Sequence, residues 1–278
     1  MIDILYSYNQ NGPGKVISNL KKGLDLLGVE YRENPNDVST DSKAIALQWH
    51  NNISKYQPEN ILIGPNICTL PMDNEFVMSQ NYKKIIVPSE WVKDLYNKWI
   101  PSEKIIVWPV GIDTDYFSDK SKDDKFFDCL IYYKRRSYDE LNFVKNLLRE
   151  FNQNFDIVEY GSYSEIGFLE KLSRSRYVFV LDSCESQGIA IQEIMSSNIP
   201  LFVWDMEFWE DRGREYKIEA TSVPFWDDVC GIKEKNKDLI FESFSLYLEN
   251  INSFKPREYV LNELMLKKQA EYLISFFN

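Results

Sequence analysis

Short apolar runs rich in Ile, Val, Phe and Tyr recur through the sequence, each closed by polar or turn-forming residues. They predict strands over Ile2–Tyr8, Lys43–Trp49, Asn60–Gly64, Lys84–Pro88, Lys104–Pro109, Asp128–Tyr133, Phe155–Tyr160, Tyr177–Asp182 and Pro200–Asp205. Between these runs the apolar residues fall at helical spacing instead. Val16, Leu20, Leu24 and Leu27 form one stripe, Val92, Leu95, Tyr96 and Trp99 a second, and Val144, Leu147, Leu148 and Phe151 a third. Ahead of the third stands a capping box, Ser137 followed three residues on by Glu140. Strand, helix and strand in series predict parallel sheets covered by helices on both faces, an α/β architecture.

The alternation breaks between Gly111 and Lys125, a stretch that turns polar and charged after its first half and reads as a linker. It predicts two Rossmann-like domains, 1–115 and 116–255, whose parallel sheets face a cleft; open parallel sheets bind ligands beyond the carboxyl ends of their strands. A length of 278 residues suits two domains of roughly 150 residues. An apolar fraction of 44% supplies ample core and excludes a mainly disordered chain. The formal charge of −11 argues against a protein that grips nucleic-acid backbones, while leaving room for a local basic pocket around a small phosphorylated ligand.

No run of about twenty apolar residues is present, so no transmembrane segment is expected. The N-terminal run reads as a first strand and not as a signal peptide. Cys68, Cys129, Cys184 and Cys230 lie far apart without a CxxC pair. They predict reduced thiols, a cytoplasmic location and no zinc site.

The densest chemistry lies between Tyr177 and Asp205. An apolar strand ends at Asp182; a short loop carries Glu185, Ser186, Gln187 and Gly188; a helix follows with Ile191, Ile194 and Met195 on its apolar side; the next strand begins after Asn198-Ile199-Pro200. The helix start offers unpaired N–H groups and the positive end of the dipole, and Gly188 lets a ligand approach the backbone closely. Phosphate is the natural guest. Glu185 precedes the helix and Glu193 lies one and a half turns into it, roughly 8 Å further along at 1.5 Å per residue. Carboxylates repel a phosphate, so these two suit hydroxyl-rich groups on either side of one, such as a ribose or a hexose ring. Two glutamates at this spacing arise by chance in an acidic chain; the complete order of strand, Glu, loop, Gly, helix, Glu, Pro and strand is far more specific.

That order resembles the retaining GT-B glycosyltransferases (group 1, or family 4-like), whose E-x7-E signature matches Glu185 to Glu193. The likeness runs on through Asn11-Gly12-Pro13-Gly14-Lys15, similar to a glycine-rich loop after the first strand, and through Ile85–Lys93 and Lys104–Phe117, similar to the last helix region of a first domain and the interdomain strand and linker. Pro256–Val260 opens a segment similar to a terminal helix, 256–278, that rejoins a shortened N-terminal domain. The resemblance implies a metal-independent, retaining transfer of sugar from a UDP-, GDP- or ADP-sugar donor to a glycan or other hydroxyl acceptor, with no cofactor. It implies that Glu193 binds ribose hydroxyls, Glu185 the donor sugar, and the amides of Ser186, Gln187, Gly188 and Ile189 the diphosphate or sugar. It places Lys134, Arg135 and Arg136 as a cationic clamp on the departing diphosphate. A non-catalytic nucleotide-sugar or glycan-binding module on the same fold is the rival reading, and a nucleotide-sugar epimerase a third.

Other positions carry weaker signals. His50 follows an apolar strand and reads either as a catalytic group of the acceptor side or as a structural histidine. Asn66 is placed similarly, as an acceptor-site candidate with the Gly12–Gly14 loop. Tyr160, Gly161 and Tyr163 end a strand of the second domain, where an aromatic ring stacks on a base or the segment is a plain turn before the helix Glu165–Leu172. Asp113-Thr114-Asp115 has the form of a metal motif, but it lies in the linker and lacks further oxygen ligands. Thr221–Asp228 reads as a loop over the cleft.

Overall fold

The structure, a computed structural model, describes residues 1–68, 70–210 and 217–277. The chain divides into two compact units, Met1–Gly111 with Leu264–Asn278, and Ile112–Glu263. The first contains β1 (Ile2–Leu5), α1 (Asn11–Leu27), β2 (Tyr31–Glu33), β3 (Ala44–Gln48), β4 (Ile61–Asn66), α2 (Glu75–Ser79), β5 (Lys84–Val87), α3 (Glu90–Tyr96) and β6 (Ile105–Val107). The second contains β7 (Phe127–Lys134), α4 (Tyr138–Glu150), β8 (Phe155–Glu159), α5 (Glu165–Ser173), β9 (Ser175–Asp182), α6 (Ile189–Ser196), β10 (Leu201–Trp204), a hairpin of β11 (Phe208–Glu210) and β12 (Lys217–Glu219), β13 (Gly231–Glu234), α7 (Ile240–Asn250) and α8 (Pro256–Glu263). A last helix, α9 (Leu266–Ser275), belongs to the first unit.

The first sheet runs β2-β1-β3-β4-β5-β6 and the second β13-β10-β9-β7-β8, every pairing parallel. Numbered within each unit, the first reads 2-1-3-4-5-6 and the second, from β8, 2-1-3-4-5, so each has one crevice where the strand order reverses: between β1 and β3, and between β7 and β9. The central strands are buried along their length, as covered parallel strands must be. In α1, Val16, Leu20 and Leu24 are buried as the stripe predicts, and the helix packs against α9. In α4, Leu141, Val144, Leu147 and Leu148 enter a core with Phe179, Phe202, Phe244 and Tyr247. Ser137 caps α4 by the expected box: its hydroxyl accepts from the Glu140 amide, and the Glu140 carboxylate accepts from the Ser137 amide.

Three expectations change. The break comes at Gly111, ahead of residue 115, because the linker's apolar residues Ile112 and Phe117 are buried. The linker is also held within the second unit: Arg257 of α8 donates to the Thr114 and Phe117 carbonyls (3.0 and 2.9 Å), and the Lys120 amide donates to the Ser197 carbonyl. The terminal segment is two helices, α8 in the second unit and α9 in the first. The glycine-rich stretch is no loop but the first turn of α1, where a Cβ at Gly14 would collide with the Asn9 carbonyl.

Candidate functional site

The β7/β9 crevice gathers most of the charged residues singled out from the sequence. Lys134 closes β7 and Asp182 closes β9, and the parallel register makes them partners. Both side chains are buried, Asp182 completely. The Lys134 ammonium pairs with the Glu185 carboxylate from the following loop and stands 3.8 Å from Asp182 Oδ2. It also lies over the Tyr160 ring, 4.2 Å from its centre, a cation–π contact from the turn after β8. Three strand ends thus meet on one ammonium.

The loop from Ser183 to Gly188 is anchored from two sides. The Ser183 amide donates to the Lys134 carbonyl (3.1 Å), and the Glu185 amide to the Thr221 carbonyl (2.9 Å). Thr221 and Ser222 are fixed in turn by Asp205, at the end of β10. Its carboxylate accepts from the Thr221 hydroxyl (2.8 and 2.9 Å), the Ser222 amide (2.7 Å) and the Met206 amide (2.9 Å). The Ser222 hydroxyl then donates to the Asp182 carbonyl (2.9 Å). The segment expected as a loop over a cleft is therefore the brace of the Glu185 loop. Asp205 and Ser222 were missed in the sequence, where the only signal was a second Asp ending an apolar run.

Gly188 is the N-cap of α6, at φ +67°, with Pro224 Cδ 3.2 Å from where a Cβ would stand. A side chain there would be both strained and crowded. No side chain caps α6, so its first amides face whatever lies before them. Gln187 offers an amide whose buried oxygen and nitrogen have no hydrogen-bond partner among the described residues, and Ser186 is exposed. Ile189 begins the helix and Glu193 lies within it, 3% exposed. The Glu193 charge acts on the phenol of Tyr163, which burial above all pushes up to about 12, against a lowering contact with Tyr132. Tyr163 stacks on Phe168 (4.9 Å) and Gly161 turns the chain at φ +86°.

The basic run splits into three fates. Lys134 enters the crevice. Arg135, at φ +54°, is exposed. Arg136 folds inward: its guanidinium donates to Glu140 and to the Asp182 and Trp204 carbonyls (3.2 Å each) and stacks on the Trp204 ring. Glu140, so engaged, is held below the usual carboxylate range by Arg136 and Ser137, against the cost of burial. In the first unit, His50 Nδ1 accepts from the Asn52 amide (3.2 Å), Asn66 ends β4 with a buried Nδ2 lacking a partner among the described residues, and Gly12 and Gly14 lie in α1. The Asp113 carboxylate accepts from the Tyr116 amide (3.1 Å), closing a turn.

No family model matches the sequence, and no curated protein sequence matches it. Solved structures do. The chain resembles a lipopolysaccharide outer core galactosyltransferase, WaaB, with a TM-score of 0.58 at 12% identity, covering 99% of each chain. It resembles sucrose-phosphate synthase from Thermosynechococcus elongatus with a TM-score of 0.58 at 12% identity, over 99% of this chain and 98% of that one. TarM gives a TM-score of 0.59 at 12% identity, over 95% of this chain but 58% of that one. WaaG, a glycosyltransferase of lipopolysaccharide biosynthesis, gives 0.52 at 8% over the full length of both chains. With two parallel α/β units and likenesses that span it end to end, this chain has the GT-B glycosyltransferase fold.

Proposed function

We propose that the protein is a glycosyltransferase that moves a sugar from a nucleotide-diphosphate sugar to a hydroxyl acceptor, with retention and without a metal. The observation that carries this reading is the meeting of Lys134, Glu185 and an uncapped helix start at the strand-order reversal of the second sheet. A diphosphate suits the α6 amides and the Lys134 ammonium, which lower the energy of charge building on the leaving group. Glu185 suits donor sugar hydroxyls, since a carboxylate accepts two hydrogen bonds from a diol. Glu193 takes the ribose hydroxyls, and Tyr160, Gly161 and Tyr163 border the nucleotide. Arg135 is the second cation of the clamp, because Arg136 already serves the protein's own carbonyls. On the first unit we assign His50 and Asn66 to the acceptor, since both stand at carboxyl ends of parallel strands. A TarM variant similar to this chain (TM-score 0.54, 12% identity) was crystallised with UDP, which makes UDP the first nucleotide to try.

Thermal melting with UDP, GDP and ADP tests the reading. A ligand at a hundred times its dissociation constant stabilises by about 2.7 kcal/mol. For a chain of this size that raises Tm by about 5–10 °C. We expect one nucleotide to give such a shift, and slow release of free sugar from the matching donor. No shift with any of the three removes the proposed donor site.

A further inference from the structure

Two carboxylates share the Lys134 ammonium, and only one of them is accounted for by donor binding. Glu185 reaches the ammonium from a half-buried loop. Asp182 approaches from the sheet itself, at 0% exposure, and among the described residues neither of its oxygens meets a hydrogen-bond donor in bonding geometry. The Ser183 amide, which bears on this carboxyl, makes its hydrogen bond to the Lys134 carbonyl (3.1 Å). A buried carboxylate of this kind is costly unless it is paired and hydrogen-bonded. The neighbouring Asp205 shows what a satisfied one looks like here, with donors on its oxygens from Thr221, Ser222 and Met206.

We propose that Asp182 is a positioning residue that sets the charge of the donor site: as a neutral acid it leaves Lys134 to the diphosphate, and as a carboxylate it draws the ammonium back and repels the anion. This inference rests on the nucleotide-sugar reading above. Burial first, and then the Glu185 charge, push the Asp182 carboxyl up to about 8, against lowering by Lys134, the Ser183 amide and Arg135. From β7 and the turn after β8 the groups facing it are the phenols of Tyr132 and Tyr163, both raised by burial and neutral below pH 9. On its own loop stands the Cys184 thiol, pushed up to about 12 by burial, with Asp205 beyond it. The Arg136 guanidinium lies on the Asp182 carbonyl. The Asp182 carboxyl, pushed up to about 8, therefore changes its charge between pH 7 and 9. Its ionisation releases one proton to solvent and takes the Lys134–Glu185–Asp182 set from neutral to −1. A diphosphate anion held by the Lys134 ammonium then meets one more negative charge.

The test is the dissociation constant of UDP, and of GDP and ADP in turn, between pH 7 and 9.5, in the parent and in Asp182→Asn. The parent should lose affinity above about pH 8 by up to tenfold per pH unit. In Asp182→Asn the ratio between the two ends of the range should fall close to one. The same variant reads the linkage without ligand. A carboxyl raised on folding contributes stability that is complete below its unfolded pKa, roughly 4, and lost as pH rises to its folded value. Asp182→Asn should therefore gain stability relative to the parent from about pH 4 to 8. Selective ¹³C labelling of aspartate reads the carboxyl in the unsubstituted protein, where one resonance should titrate above pH 7. Nucleotide binding that stays flat with pH in the parent, or that falls equally in Asp182→Asn, overturns this inference alone. So does a spectrum in which every aspartate titrates below pH 5. Absence of binding by all three nucleotides at every pH overturns the proposed function, and this inference with it.

Discussion

The two units share one strand order, yet they fill their crevices differently. Between β1 and β3 lies Gln48, 3% exposed, and its amide is used up on the backbone beside it. The oxygen accepts from the Ser7 and Tyr8 amides (3.1 Å each) and the nitrogen donates to the Tyr8 carbonyl (2.7 Å). The equivalent crevice between β7 and β9 holds Lys134, Asp182 and Glu185, and among the described residues Asp182 has no hydrogen bond on its oxygens. A neutral side chain tied to the backbone by three hydrogen bonds stabilises a loop and has little left for a ligand. A set of charges held close with hydrogen-bonding capacity in reserve costs stability and is ready for a charged guest. Topology makes both crevices available; under the proposed function, side-chain chemistry decides which one takes the donor.

Substitutions can break that contrast. Lys134→Ala removes the cation of the second crevice and should lower single-turnover sugar transfer by about a hundred- to a thousandfold, as loss of one transition-state donor does. An unchanged rate would move the clamp elsewhere. Glu193→Gln should weaken the nucleotide about ten- to a hundredfold, from loss of charge-assisted hydrogen bonds of about 1.5–3 kcal/mol. Calorimetry reads it, and affinity equal to the parent's would refute the ribose role. The smallest effect belongs to the first crevice. Gln48→Ala leaves two amides without their acceptor and should cost about 1–2 kcal/mol in urea unfolding. Nucleotide affinity should not move. Weaker nucleotide binding at unchanged stability would show that the first crevice, too, takes the donor.

Much of the fold is legible because buried parallel strands announce themselves. Every apolar run singled out in the sequence is a strand within a few residues of its expected bounds. The strands that escape notice are β2, β11, β12 and β13. β2 and β13 are edge strands with one neighbour each, and β11 and β12 pair only with each other. A strand covered on one side or neither needs no continuous apolar run, so Gly231-Ile232-Lys233-Glu234 reads as loop. The linker misled in the opposite way. Its charges hide Ile112 and Phe117, which tie it to the second unit.

The site is legible to a different depth. Glu185, Gly188 and Glu193 stand out by local order alone, since loop, helix start and helix face are all set within a dozen residues. The fates of Lys134, Arg135 and Arg136 do not. Adjacent in sequence, they lie in the crevice, at the surface and against Trp204, because β7 ends among them and the chain turns at Arg135 through a positive φ.

Taken alone, the amino-acid order determined the α/β class, the succession of strands and helices and the glutamates around α6, because periodicity, capping and turn chemistry act between near neighbours. The parallel register that sets Lys134 against Asp182, the brace from Asp205 through Thr221 and Ser222, and the closing of the first crevice by Gln48 were decided only in the folded chain. Each joins residues far apart in sequence. Whether a buried carboxylate meets donors, as Asp205 does, or an ammonium alone, as Asp182 does, depends on which strand ends pack side by side.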